Sequence, residues 1–287
     1  MEQDTNQQAD PKFSLQEPGT TAPHDPQDIE PTPEEIAAAV ERIRQEKSAI
    51  RDRKLRLEQE AAREAEIRRP WTSEELYKYI CYRAEHELGF KLSVDDYNTK
   101  VVRMLCRYFS NDPRFEEMGE SYSLEKGIVL CGNVGTGKST LMRLFARNKR
   151  QCFNLVSCRK LAAIYAQDGH GIFEAYRGPR MEPINDASIF YQRQVGYCFD
   201  DLGTEEIKKM MGNEMNVMEE ILQNRYDMKY KYPFTQTHIT TNLAYDDQTD
   251  ETSNFYPGIE SIYGTRVRSR MREMFNTIVL DGPDRRK

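Results

Sequence analysis

The sequence predicts an α/β fold, a parallel sheet flanked by helices, preceded by a small all-α N-terminal unit and a disordered acidic leader. Three observations carry this expectation. After Pro113, short apolar runs alternate with helical periodicity, which is the texture of a parallel sheet built from βαβ units. A glycine-rich segment, residues 132–139, sits between one such run and a helix. Ahead of both, residues 34–69 contain no Gly or Pro and consist mainly of Ala, Glu, Arg, Lys, Gln and Leu, all good helix formers.

The leader, residues 1–33, holds seven acids against one lysine and six of the thirteen prolines, with almost no apolar periodicity. It carries the whole formal charge of −6, so the rest of the 287 residues is neutral overall. An acidic pI of 5.5 therefore does not exclude a nucleic-acid partner. At Thr32-Pro33-Glu34-Glu35 a capping box with Pro at the first helical position predicts a helix of 36 residues, about 54 Å long at 1.5 Å per residue. Ile36, Val40, Ile43, Ile50, Leu57 and Ala61 follow a 4,3 seam that Lys47, Lys54 and Glu64 interrupt. Such a helix serves either as a partner-binding arm or as a solvated charged rod.

A second capping box, Thr72-Ser73-Glu74-Glu75, predicts a helix through Leu76, Ile80, Ala84 and Leu88, and a third is expected from Ser93 through Val101, Leu105 and Phe109. The expected divisions are thus a leader at 1–33, a helical partner-binding region at 34–115 and a catalytic α/β domain at 116–287. Strands are predicted at residues 128–131, 153–156, 195–199 and 235–241, with a helix at 139–148. No run of 18 apolar residues exists and the start is acidic, so neither a membrane span nor export is expected and the protein is placed in the cytoplasm. Six scattered cysteines without a C-x-x-C pair argue for reduced thiols, not for a metal cluster.

Gly132-Asn133-Val134-Gly135-Thr136-Gly137-Lys138-Ser139 fits G-x-x-x-x-G-K-[ST] in the strand-to-helix context that motif requires. Its backbone N–H groups and the helix N-terminus suit phosphates, with Thr140 completing the turn; Lys138 reaches the β and γ phosphates and Ser139 offers a hydroxyl to magnesium. ATP and Mg2+ are the cofactors this implies. Tyr197-Cys198-Phe199-Asp200-Asp201 supplies acids at a strand end: Asp200 to orient the magnesium, Asp201 to polarise the attacking water. Asn242, after the strand ending in Thr240-Thr241, can hydrogen-bond the γ-phosphate or that water, although Asn is also an ordinary turn former.

In order along the chain, these motifs, with Ile221-Leu222-Gln223-Asn224-Arg225-Tyr226-Asp227 and Tyr263-Gly264-Thr265-Arg266-Val267-Arg268-Ser269-Arg270-Met271, resemble AAA+ ATPases of the DnaC and IstB type, helicase loaders and transposition helpers. The resemblance spans about residues 120–287. It implies that Asn242 is the sensor 1 residue, that Arg270 is an arginine finger presented to ATP on a neighbouring subunit, and that Arg286, with Arg285 beside it, is the sensor 2 residue. It also implies a nucleotide-dependent homo-oligomer, a replicative DNA helicase as partner, and single-stranded DNA. The long connection from residue 157 to 194 is where such relatives face DNA, and here Lys160, Phe173, Tyr176, Arg177 and Arg180 interleave basic and aromatic side chains suited to phosphates and bases. The alternative for the same residues is core packing and a solubilising surface. Asp201 replaces the Glu common in AAA+ enzymes, which implies slow or partner-stimulated hydrolysis. Two rival functions stay open: a transposition helper that recruits a transposase, and a nucleotide-gated interaction module that hydrolyses little. A small-molecule kinase would leave Asn242 and Arg270 idle.

Overall fold

A computed structural model describes residues 31–183, 192–205, 208–210, 213–249 and 255–286. The leader, up to residue 30, lies outside the described residues. The chain forms two compact units that part at Glu66/Ile67.

The first unit is dominated by α1 (Pro33–Arg68), 36 residues as the composition predicts. Thr32 and Glu35 exchange the reciprocal bonds of a capping box, Glu35 N to Thr32 Oγ1 at 3.3 Å and Thr32 N to Glu35 Oε2 at 2.9 Å. These bonds hold the Glu35 carboxyl below the usual carboxylate range. The interrupted apolar seam is exposed, Ile36 at 49% and Ile50 at 66%.

The second unit begins with α2 (Ser73–His86), capped by Thr72 and Glu75 as expected, and α3 (Thr99–Phe109). After a 3-10 turn at Pro113–Met118 come β1 (Gly127–Cys131), α4 (Lys138–Phe145), β2 (Phe153–Ser157), α5 (Cys158–Asp168), α6 (Gly171–Tyr176), β3 (Arg180–Pro183) and β4 (Gln192–Leu202). A small hairpin, β5 (Lys208–Met210) and β6 (Asn213–Met215), leads to α7 (Val217–Asp227) and β7 (Thr237–Thr241). The hairpin β8 (Gln248–Thr249) and β9 (Phe255–Tyr256) precedes α8 (Ile259–Met274) and β10 (Phe275–Val279). Five parallel strands lie in the order β10-β1-β7-β4-β2, and β3 joins β4 antiparallel.

Side chains alternate across the pleat, so β1 sends Ile128 and Leu130 into one core and Val129 and Cys131 into the other. The second core is covered by α5, α7 and α8. The first holds α4 together with Leu76, Ile80 and Ala84 of α2 and Val101, Leu105 and Phe109 of α3. This corrects the division expected at residue 115: α2 and α3 do not form a helical unit with α1 but belong to the sheet's own core. The reason is that a parallel sheet must be buried on both faces, and α4 is too short to cover one alone. Arg83, itself buried, ties the layers by donating to the carbonyls of Leu144 at 2.7 Å and Arg143 at 2.9 Å at the C-terminal end of α4.

Candidate nucleotide site

The glycine-rich loop runs from the end of β1 into α4, where sequence places the phosphate-binding motif. Two of its glycines are required by backbone, and the first by contact with main chain as well. Gly132 has φ 146°, and a Cβ there would collide with the Leu280 carbonyl. Gly135 has φ 82°, and its Cβ would collide with the Asp284 carboxylate. The loop is therefore shaped by the segment after β10, which runs across it: Leu280 N donates to Cys131 O at 2.8 Å and Arg285 N to Gly135 O at 2.9 Å.

Lys138 is buried and all three of its protons are engaged, with Gly132 O at 2.7 Å, Asn133 O at 2.8 Å and Asn242 Oδ1 at 2.6 Å. Burial lowers its pKa, against the pull of Asp201 and Asp200. The pair Asp200 and Asp201 sits where the β4–β7 register shifts, between Phe199 and Leu202. Asp201 is in the left-handed region at φ 58°. Such a bulge re-aims side chains at a strand end. Thr240 bridges the two acids, its hydroxyl donating to Asp200 Oδ1 at 2.6 Å while accepting from Asp201 N at 2.9 Å. Burial and the neighbouring Asp200 raise the Asp201 carboxyl above its ordinary value, opposed by Lys138, Arg286 and Arg159.

A pocket of about 270 Å³ gathers Val134, Gly135, Gly137, Lys138, Ser139, Thr140, Asp201, Asn242 and Arg286, with Thr204 and Arg285 at its wall. A second pocket of about 390 Å³, lined by Phe90, Leu92, Asn98, Thr136 and Leu141, shares Gly137, Thr140 and Arg285 with it. Together they offer a polar chamber at the loop and a more apolar one beside it, the division a nucleotide's phosphates and base require. Among the described residues no cluster of three His, Cys, Asp or Glu could hold a metal unaided. The donors present, the Ser139 hydroxyl and the Asp200 and Asp201 carboxylates, are the hard oxygens suited to magnesium that keeps phosphate and water ligands.

The structure thus brings together most of the residues singled out by sequence. Asp200 does not line the pocket; the Thr240 hydroxyl links its carboxylate to the backbone N–H of Asp201, which does. Arg270 is elsewhere: on α8, its guanidinium lies 4.6 Å over the Tyr226 ring and pairs with Asp227 at 3.2 Å. Both arginines after β10 line the pocket, and Arg285 also donates from one guanidinium nitrogen, Nη2, to both carboxylate oxygens of Asp95 at 2.7 and 2.9 Å. The stacking role expected of Phe173 and Tyr176 is not supported by their placement. Phe173 packs 5.6 Å from Tyr165, Tyr176 packs 4.9 Å from Tyr197, and both lie against the second core. Arg177 pairs with Glu174 at 2.8 Å, leaving Lys160 and Arg180 exposed.

Thr240, Asp95 and Glu205 were not legible as site residues. Glu205 accepts from Gly203 N at 2.9 Å and from the Tyr263 hydroxyl, fastening the loop after Asp201 to α8; burial raises its pKa.

The fold and site define an α/β protein whose parallel sheet carries a P-loop motif between β1 and α4. No protein-family model matches the chain, and no curated protein matches it. Among solved structures it is similar to DnaI, at 19% identity over 68% of this chain and 88% of that one, with a TM-score of 0.41. It is also similar to the DnaC helicase loader, at 15% identity over 66% and 93%, with a TM-score of 0.39. No helix among the described residues is long and apolar enough to cross a membrane.

Proposed function

We propose that this protein is an ATP-dependent helicase loader of the DnaC kind, which binds ATP with magnesium and single-stranded DNA and delivers a replicative helicase. One observation carries the reading: Lys138, Ser139, Asp201, Asn242 and Arg286 converge on one pocket, while Arg270 is held on another face of the same unit. Phosphoryl transfer needs cationic stabilisation of the transferring group, and a finger supplied by a neighbour can be worth ~10³ or more in rate. A chamber complete but for that cation suits a subunit that hydrolyses ATP only when assembled.

In this reading Lys138 exchanges its loop carbonyls and Asn242 for the β and γ phosphates. Ser139 and Asp200 would hold magnesium, which supplies charge neutralisation on the phosphate oxygens. Asp201 and Asn242 orient the attacking water, and Phe90 and Leu92 offer apolar surface to the base. Lys160 and Arg180 are the remaining cations of the 157–194 connection for a DNA backbone.

The test is ATP turnover across a range of protein concentrations, with and without single-stranded DNA, alongside mixing of two inactive variants. Rate per subunit should rise with concentration, and Arg270→Ala mixed with Lys138→Ala should regain activity that neither has alone. A rate independent of concentration, with no regain on mixing, would sink the assembled-ATPase reading. Helicase delivery is tested separately, by retention of purified hexameric helicase on forked DNA; recovery of a transposase in its place would favour the transposition helper. The short acid Asp201, with its raised pKa, favours a second reading in which nucleotide gates assembly and hydrolysis is slight. Background turnover under all conditions, with ATP-dependent assembly intact, would select it.

A further inference from the structure

We propose that Asp95 is a positioning residue for the phosphate chamber, acting through Arg285 to hold Arg286 in place; this rests on the ATP-binding reading above. The Asp95 carboxylate is fixed at the turn before α3. Its Oδ1 accepts from Tyr97 N at 3.0 Å and Asn98 N at 3.2 Å, and Asn98 Oδ1 accepts from Asp95 N at 2.9 Å. Arg285 reaches it from 190 residues away in sequence with one guanidinium nitrogen on both oxygens, at 2.9 and 2.7 Å. The backbone on either side is pinned as well: Arg285 N on Gly135 O at 2.9 Å, and Arg286 N on Asp284 Oδ1 at 2.9 Å. Gly282 lies against Tyr97, so close that a Cβ there would meet the Tyr97 Cβ at 3.2 Å.

The consequence falls on the next side chain. Arg286 lines the chamber and is near enough to Lys138 and Asp201 to act on both charges. Arg286 has no ion pair of its own among the described residues, so its direction is inherited from the residues before it. The Asp95–Arg285 pair is too open to serve chiefly as a staple, with side chains 38% and 26% exposed. Pairs of that exposure contribute little to stability, but with Arg285 N already held by Gly135 O this contact fixes both ends of the Arg285 side chain. In the ATP-binding reading a cation lining the pocket beside Lys138 and Asp201 would meet the γ-phosphate, which ADP lacks. The signature of the device is therefore discrimination between ATP and ADP.

The experiment measures affinity of the full chain for fluorescent ATP and ADP analogues, with magnesium, for the parent, Asp95→Asn, Arg286→Ala and the double variant. Asp95→Asn should weaken ATP binding about five- to tenfold and leave ADP within about twofold. Arg286→Ala should do the same, and the double variant should be no worse than Arg286→Ala, because both act on one contact. Arg285→Gln breaks the pair without touching the α3 turn and must reproduce the pattern if Asp95→Asn folds poorly. Unchanged ATP affinity, equal losses for ATP and ADP, or losses that multiply in the double variant would each overturn the assignment. If the parent binds neither nucleotide, it is the ATP reading that fails, a result none of the variant outcomes can mimic.

Discussion

In the proposed ATPase, turnover rests on Asp201, and the surroundings of that residue oppose its charge. Burial and Asp200 push its carboxyl up from 3.8, while Lys138, Arg286 and Arg159 pull the other way. Polarising water requires the ionised form, so the acid limb of the pH–rate profile should lie above the position an ordinary Asp would give. Asp201→Asn should cut kcat by about 10²-fold or more, keep ATP binding, and abolish that limb. A variant that retains parental turnover would show that another group handles the water. Lys138, Ser139 and Asp200 were legible because each stands at a fixed offset in a motif with a mechanism. Thr240 was not, because its bridge exists only through the register shift between β4 and β7, which no spacing within one strand announces. Aromatic residues among basic ones read alike in sequence whether the rings face a base or a core, and Phe173 and Tyr176 are half-buried against the second core.

Among the elements, β7 shows how the layers are joined. His238 Nδ1 accepts the Ile128 N–H at 3.2 Å, so the proton sits on Nε2, which has no hydrogen-bond partner among the described residues. Its ring is surrounded by Phe153 at 4.7 Å, Phe109 of α3 at 5.3 Å and Tyr108 at 6.0 Å. Burial, with Arg150 and Arg225, lowers its pKa from 6.5 to about 3. Between those values the unfolded chain binds a proton that the folded chain refuses. Stability from this group is therefore complete above about pH 6.5 and is lost as pH falls toward 3, by up to about 1.4 kcal/mol per pH unit. Asp112, whose carboxyl is held at about 2 by Arg114, adds its loss only at lower pH, whereas the raised carboxyls of Asp201 and Glu205 act in the opposite sense, so the His238 share is the difference in slope between the parent and a His238 variant. His238→Phe should flatten urea-unfolding stability below about pH 6.5. It should also lower stability at pH 7 by about 1–3 kcal/mol, since Ile128 N–H loses its acceptor. An unchanged pH slope would assign the acid sensitivity elsewhere. Capping boxes made the starts of α1 and α2 readable. The start of α3 fell at Thr99 and not Ser93, because Asp95 and Asn98 trade backbone bonds in a turn that apolar periodicity cannot register.

For the whole molecule, the decisive question is which helices belong to the sheet. Composition put all three N-terminal helices together, since each is rich in charge and free of glycine in its interior. Packing separates them, because Leu76, Ile80, Leu105 and Phe109 are buried against Leu141, Leu144 and Phe145 of α4, whereas the seam of α1 is exposed. A chain trimmed to begin at Ile67 should therefore unfold in one cooperative transition and bind ATP with parental affinity. A chain trimmed to 116–287 removes α2 and α3 from one face and leaves Ile128, Leu130 and Ile278 under α4 alone. Each large side chain so uncovered forfeits about 1.5–3 kcal/mol of burial, and a handful of them exceeds the 5–15 kcal/mol that typically separates folded from unfolded. It would also lose Asp95, and with it the anchor of Arg285. The shorter chain should aggregate or bind a hydrophobic dye strongly, with no sharp thermal transition and no ATP preference over ADP. A soluble, cooperatively melting 116–287 fragment would mean that α2 and α3 merely rest on the sheet, and would return the boundary to residue 115.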